Sequence, residues 1–155
     1  VTIKVEGLDK LMARLRVDPL VGKPLRDGFE AVGHLVVSEA RKRAPVDRGL
    51  LRASIAHEAE TLGVKVGAKP KYAPYMEYGT GLVHDHPSWP RKRHVVPPGA
   101  LAGWGKRKGA DGAAVANAIS RRGGLKPRRY LRGALEDNTG RIVRIVAGAL
   151  KRIEV

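Results

Sequence analysis

Apolar positions along the chain follow two different periods. From Asp18-Pro19 onward, Leu25, Phe29, Val32 and Val36 recur three or four residues apart, which keeps one face of a helix apolar as far as Arg43. Asp18 suits the N-cap and Pro19 the first helical position. Arg41, Lys42 and Arg43 set cations at the negative end of the helix dipole. At 1.5 Å per residue, roughly 25 residues make a rod of about 37 Å, the main helix of the fold. Pro24 lies in the first turns and allows a start near residue 23 instead. Upstream, Val1–Val5 alternates like a short strand, and Leu8, Leu11, Met12 and Leu15 carry a helical stripe.

The period changes after Ala44-Pro45, where a residue before proline is pushed out of the helical region. Asp47-Arg48-Gly49 reads as a turn built on an Asx side chain and a glycine. Leu51–Glu60 then alternates apolar and polar, as does Val64–Ala68. With Thr61-Leu62-Gly63 between them, the two runs predict a β-hairpin. YAPYMEYGT follows, from Tyr72 to Thr80. Its Tyr72, Tyr75 and Tyr78 could form a ladder for stacking bases. Their spacing also fits a short helical turn packed on the core, the reading preferred here because no basic residue lies between Lys71 and Thr80.

Beyond Thr80 the periodicity fades. GLVHDHPSWPRKRHVVPPG holds four prolines and three histidines and predicts a long irregular loop. Ala100–Lys108 and Gly112–Arg122 read as two short helices, the second capped by Asp111 and ended by Gly123-Gly124. Leu131, Leu135, Ile142, Ile145, Val146, Ala149, Leu150 and Ile153 trace one stripe of a C-terminal helix. The pattern predicts an α+β fold: a small, mostly antiparallel sheet packed against the long helix and the C-terminal helix. We expect one domain over 1–155, with 82–127 a basic Pro/Gly-rich loop plus two short helices.

Charge alters this picture more than any other bulk property. The 155 residues carry a formal +15, with a pI near 10.7. Between Leu82 and Arg132 lie Arg91, Lys92, Arg93, Lys106, Arg107, Lys108, Arg121, Arg122, Lys126, Arg128, Arg129 and Arg132, opposed only by Asp85 and Asp111. Twelve cations less two acids leave +10 in this third of the chain. Such a segment is attracted to nucleic acid, acidic proteins or anionic surfaces, or is simply a solvated basic face. The chain has no cysteine, so it has no disulfide or thiolate site, which suits a reducing cytoplasm. No apolar run follows a basic start as in a secretory signal, and Ile142–Leu150 is too short to span a bilayer; a soluble protein without a membrane partner is expected.

Candidate chemistry is sparse. Ser38, Ser54, Ser88 and Ser120 sit in no G-x-S-x-G elbow. Gly105-Lys106 fails as a phosphate loop, because Ala100 stands where the first glycine is required and Arg107 where Ser or Thr is. His34 beside the long helix's stripe reads as a packed or partly exposed histidine. His84 and His86 flank Asp85, a spacing that can share a metal on a strand, but no third ligand has diagnostic spacing. We therefore expect no catalytic residue, no cofactor and no metal. A zinc finger, helix-turn-helix or RNA-recognition signature is also missing, which weakens the reading as a basic nucleic-acid-binding accessory protein.

A helix ending in RAPVDRGLLRASI, then a hairpin, then YAPYMEYGT resembles the tail-completion or neck proteins of long-tailed bacteriophages. The opening IKVEGLDKLMARL, the late KPRRYLRGAL and a final helix fit in the same order, about two-thirds of the chain in all. Arg48 departs from a frequent Thr, and Gly133 from a proline that often opens the last helix. The resemblance implies a structural virion protein, made in the host cytoplasm and assembled as a ring, six-fold by analogy. Such a ring joins the tail tube or terminator to the head-side connector around the DNA channel. It makes Tyr75, Glu77 and Tyr78 candidates for the subunit interface, Glu77 through an arginine of a neighbour. Arg91, Lys92, Arg93, Lys106, Arg107, Lys108, Arg121, Arg122, Lys126, Arg128 and Arg129 become candidates for contact with a partner protein or with double-stranded DNA in the channel. Close-packing Ala-rich helices favour protein, and DNA that must slide is poorly served by a tight grip.

Overall fold

The computed structural model describes residues 2–4, 19–60 and 62–153. The stripe at Leu8–Leu15 and the Asp18 cap lie outside the described residues. The described part is α+β, as the pattern predicts. In chain order it comprises β1 (Thr2–Lys4), α1 (Pro19–Arg43), α2 (Leu50–Ser54), β2 (Ile55–Glu60), β3 (Gly63–Ala68) and α3 (Ala73–Tyr78). A 3₁₀ turn (Pro98–Leu101) follows, then α4 (Ala102–Lys108), α5 (Gly112–Arg122), α6 (Tyr130–Glu136) and α7 (Thr139–Lys151). These fall into two compact units, one within Val1–Ala44, Leu51–Lys69 and Tyr130–Val155, the other within Pro45–Leu50 and Pro70–Arg129.

The first unit is a sheet laid on α1. Its strand order is β1-β3-β2, antiparallel throughout, with Thr2 opposite Lys65, Ile55 opposite Ala68 and Glu60 opposite Gly63. Along α1, Leu25, Phe29, Val32, Val36 and Ala40 are buried, the face that the three-and-four spacing predicts. They meet Ile55, Val64 and Val66 from the sheet and Tyr130, Leu131, Ala134, Ile142 and Ala149 from α6 and α7 in the core. The helix also holds β2 by a polar contact, Arg41 Nη2 donating to the Ile55 carbonyl at 2.9 Å. At its C-terminus Arg43 reaches Glu39 and Asp137, both at 2.9 Å.

Two sequence readings need correction here. Leu51–Ser54 is helix, not strand. Leu, Arg and Ala favour helix, Ser54 Oγ closes the turn on the Leu51 carbonyl at 2.8 Å, and extended backbone begins at the β-branched Ile55. The C-terminal stripe, read as continuous, is two helices broken at Asp137-Asn138. There Asn138 Nδ2 donates to the Ala134 carbonyl at 2.9 Å, and Thr139 Oγ1 to those of Leu135 and Glu136 at 3.2 and 2.9 Å. Side chains that bond the nearby backbone compete with the helical ladder and interrupt it.

Candidate functional site

The second unit carries most of the candidate residues. In α3, Ala73 and Glu77 lie four apart on one face and are buried. Glu77 is only 2% exposed within its own chain. Tyr78 is half-buried, but Tyr72 and Tyr75 are exposed, contrary to the core-packing expectation. Tyr72 and Tyr75 are 45% and 50% exposed. Tyr75 instead packs against Trp89, ring centroids 5.2 Å apart, while Tyr78 meets His86 edge-on at 4.6 Å. Trp89 stacks on His86 at 4.3 Å. The loop after Thr80 is therefore folded back over α3 by aromatic contacts.

Backbone hydrogen bonds close the same unit from its far end. Thr80 N–H donates to the Leu125 carbonyl at 2.8 Å, and Leu125 N–H to Thr80 Oγ1 at 2.9 Å. Leu82 and His94 both donate to the Gly123 carbonyl, at 3.0 and 2.9 Å. Arg128 and Arg129 donate to the carbonyls of Met76 and Glu77, at 2.9 and 3.1 Å. Gly81, at φ 72°, is where this seam needs glycine: a Cβ there would strike the Gly123 carbonyl. The segment between Thr80 and Leu125 thus leaves and re-enters at adjacent points.

Within that loop, the two helices form as their caps predict. Asp111 Oδ1 accepts the N–H groups of Ala113 and Ala114 at 2.9 and 3.1 Å, and Gly123 closes α5 in the left-handed conformation. The preceding helix begins as a 3₁₀ turn over Pro98–Leu101 before α4 proper. Ser120 Oγ anchors the loop to α5 by accepting Val96 N–H at 2.8 Å. Arg93, Val95, Ala114, Asn117, Ser120 and Arg121 line an open groove beside this anchor.

All eleven partner-contact candidates are exposed, but they are not equally free. Arg107 holds Asp47, Arg129 holds Asp85 at 2.7 Å, and Arg93 donates to the Ser120 carbonyl at 3.2 Å. Arg122 donates to the Ala118 carbonyl of its own helix. Arg91, Lys92, Lys106, Lys108, Arg121, Lys126 and Arg128 make no ion pair among the described residues. The carboxylates of this unit are already engaged or covered: Asp47 and Asp85 by arginines, Asp111 by the helix N-terminus, Glu77 by burial. Asp47, read as an Asx turn, spends both oxygens on Arg107 instead.

The histidine pair flanking Asp85 does not form a three-ligand group. His84 is buried, and its Nδ1 accepts His86 N–H, while His86 Nδ1 accepts Ser88 N–H, both at 3.2 Å. Among the described residues, the group able to hold a metal lies in the first unit, at Glu30, His34 and His57. His57 Nε2 is 2.8 Å from Glu30 Oε1. That hydrogen bond is the main reason the Glu30 carboxyl sits below the usual carboxylate range, with His34 and Arg26 adding weaker attraction. Only His34 of the three stood out in the sequence. The Glu30–His34 spacing of four puts both on one helix face, but nothing local announces His57.

The comparisons bear on residues 8–79, a span that takes in α1, α2, the hairpin and α3. These residues match the family described as Bacteriophage HK97-gp10, putative tail-component. Over this span, 72 of the 155 residues, the chain is similar to that phage tail-component family. The resemblance read from RAPVDRGLLRASI and YAPYMEYGT is thereby shown, and it points to a structural role in a virion. No curated protein and no solved structure matches the chain. Among the described residues, no helix is long and apolar enough to cross a membrane.

Proposed function

We propose that this protein is a phage tail component that works at the neck, as a six-fold ring between the tail tube or terminator and the head-side connector, around the DNA channel. The ring is closed by heterologous contacts, one patch of a subunit against a different patch of the next. Tyr75 and Tyr78 belong to that contact, together with exposed Leu50 and Tyr72. Glu77 has no part in it.

One observation carries the assignment of the partner surface: the second unit exposes unpaired cations and has no carboxylate left to neutralise them. Exposed charges are screened over about 8 Å at physiological salt, so these cations act only where a partner touches them. We assign that partner to an acidic protein surface of the tail or connector. The small faces of α4 and α5 suit close protein packing, and the groove that Arg93 and Arg121 help to line suits an acidic side chain.

The test is reversal of Arg91, Lys92, Lys106, Arg121 and Arg128 to Glu. Arg93, Arg107 and Arg129 stay untouched, because each holds a contact within its own unit. The expected result is a folded protein that no longer supports joining of tails to heads. Normal joining refutes the assignment. A steep, log-linear loss of binding to double-stranded DNA with salt would instead favour the DNA reading.

A further inference from the structure

Glu30 and His34 stand one turn apart on α1, and His57 reaches them from β2. His57 Nε2 and His34 Nε2 approach the same atom, Glu30 Oε1, at 2.8 and 3.5 Å. One ligand atom from each residue lies within 4.8 Å of the other two. The imidazoles meet edge to face, with centroids 4.6 Å apart.

We propose that Glu30, His34 and His57 bind one divalent transition-metal ion of the zinc type. Two imidazoles and a carboxylate are a donor set that such ions favour, and oxygen-preferring ions such as magnesium do not. Around a tetrahedral ion with bonds of about 2.0–2.1 Å, ligand atoms stand about 3.4 Å apart. The two edges measured here bracket that value. A hydrogen bond between imidazole and carboxylate is the arrangement such a pair adopts with a proton where the ion sits.

A second feature is independent of the ligands themselves. Gly33 lies directly beneath the His57 ring, and a Cβ there would overlap the ring's Cδ2. Glycine in a helix interior is unfavourable relative to alanine. At residue 33 its absent side chain leaves the space that lets His57 lie against the helix and face Glu30. His57 is correspondingly enclosed, its side chain 12% exposed, while Glu30 and His34 are 49% and 72% exposed. The ion would therefore be held from below and open to solvent above, leaving a coordination position for water or a ligand from another molecule. It would also pin α1 to β2.

The experiment is titration of the untagged full chain with Zn²⁺ by calorimetry and with Co²⁺ by visible absorption. The expected result is one ion per chain, with the Co²⁺ ligand-field bands of a low-symmetry site containing nitrogen donors. His34→Gln and Glu30→Gln, both at exposed positions, should each weaken Zn²⁺ binding by at least about tenfold, or 1.4 kcal/mol. Gly33→Ala should weaken it too, although it contributes no donor, by displacing His57. His94→Gln should change nothing. Circular dichroism confirms folding, so the exposed variants decide the matter even if His57→Gln does not fold. Failure to bind Zn²⁺ at about 100 µM, well above a micromolar Kd, overturns the proposal. So does binding that His34→Gln and Glu30→Gln leave unchanged.

Discussion

Arg107 grips Asp47 with both sides of its guanidinium, Nε at 3.0 Å from Oδ1 and Nη2 at 2.6 Å from Oδ2. The pair ties the turn after Pro45 to α4, sixty residues further on. Arg107 is therefore a strut of its own unit rather than a free cation. Its fork holds the Asp47 carboxyl below the usual carboxylate range, with Lys108 and Arg48 adding to the field. A carboxyl depressed in the folded state contributes stability above its ordinary value of about 4 and loses it as pH falls through the folded value. Protection of the 45–50 turn against proteolysis should thus be level near neutrality and fail in acid. Asp47→Asn should be less protected at neutral pH and nearly insensitive to acid. Arg107→Lys should fall between, keeping the charge without the fork.

How much of this was legible follows from range along the chain. The buried face of α1 and the Asp111 cap were readable because periodicity and capping act within a few residues. Leu51–Ser54 misled because Leu-Arg-Ala-Ser alternates well enough to imitate a strand, although its propensities are helical. The break at Asn138 was hidden because the apolar stripe runs straight through it. The seam of Met76–Leu82 with Gly123–Arg129 and the group of Glu30, His34 and His57 join distant residues. No local pattern encodes such pairings, and only the folded chain displays them.

Asn138 should prove costly to remove. It is 6% exposed, and its Nδ2 supplies the hydrogen bond to the Ala134 carbonyl. Asn138→Ala leaves that carbonyl without this donor at a covered helix end. Urea unfolding should show a loss of about 1–3 kcal/mol, the usual cost of stranding a buried polar group. A change under about 0.5 kcal/mol, the range of ordinary surface substitutions, would mean the break does not depend on this side chain.

The seam of the second unit makes a separate prediction. Gly81→Ala forces a Cβ into the Gly123 carbonyl at a backbone conformation that alanine resists. Amide exchange should accelerate at Leu82, His94 and Leu125, the donors along the seam, while the buried amide of Val32 in α1 should be unaffected. Unchanged exchange at Leu82 and His94 would show that the seam tolerates the methyl group.

Imaging the assembled particle by electron cryomicroscopy decides whether this protein forms the proposed ring at the neck. The expected image holds six copies in a closed ring between tail tube and connector, with Arg91, Lys92, Lys106, Arg121 and Arg128 against acidic protein. Single dispersed copies, or a particle in which the neck contains none of this protein, would contradict it.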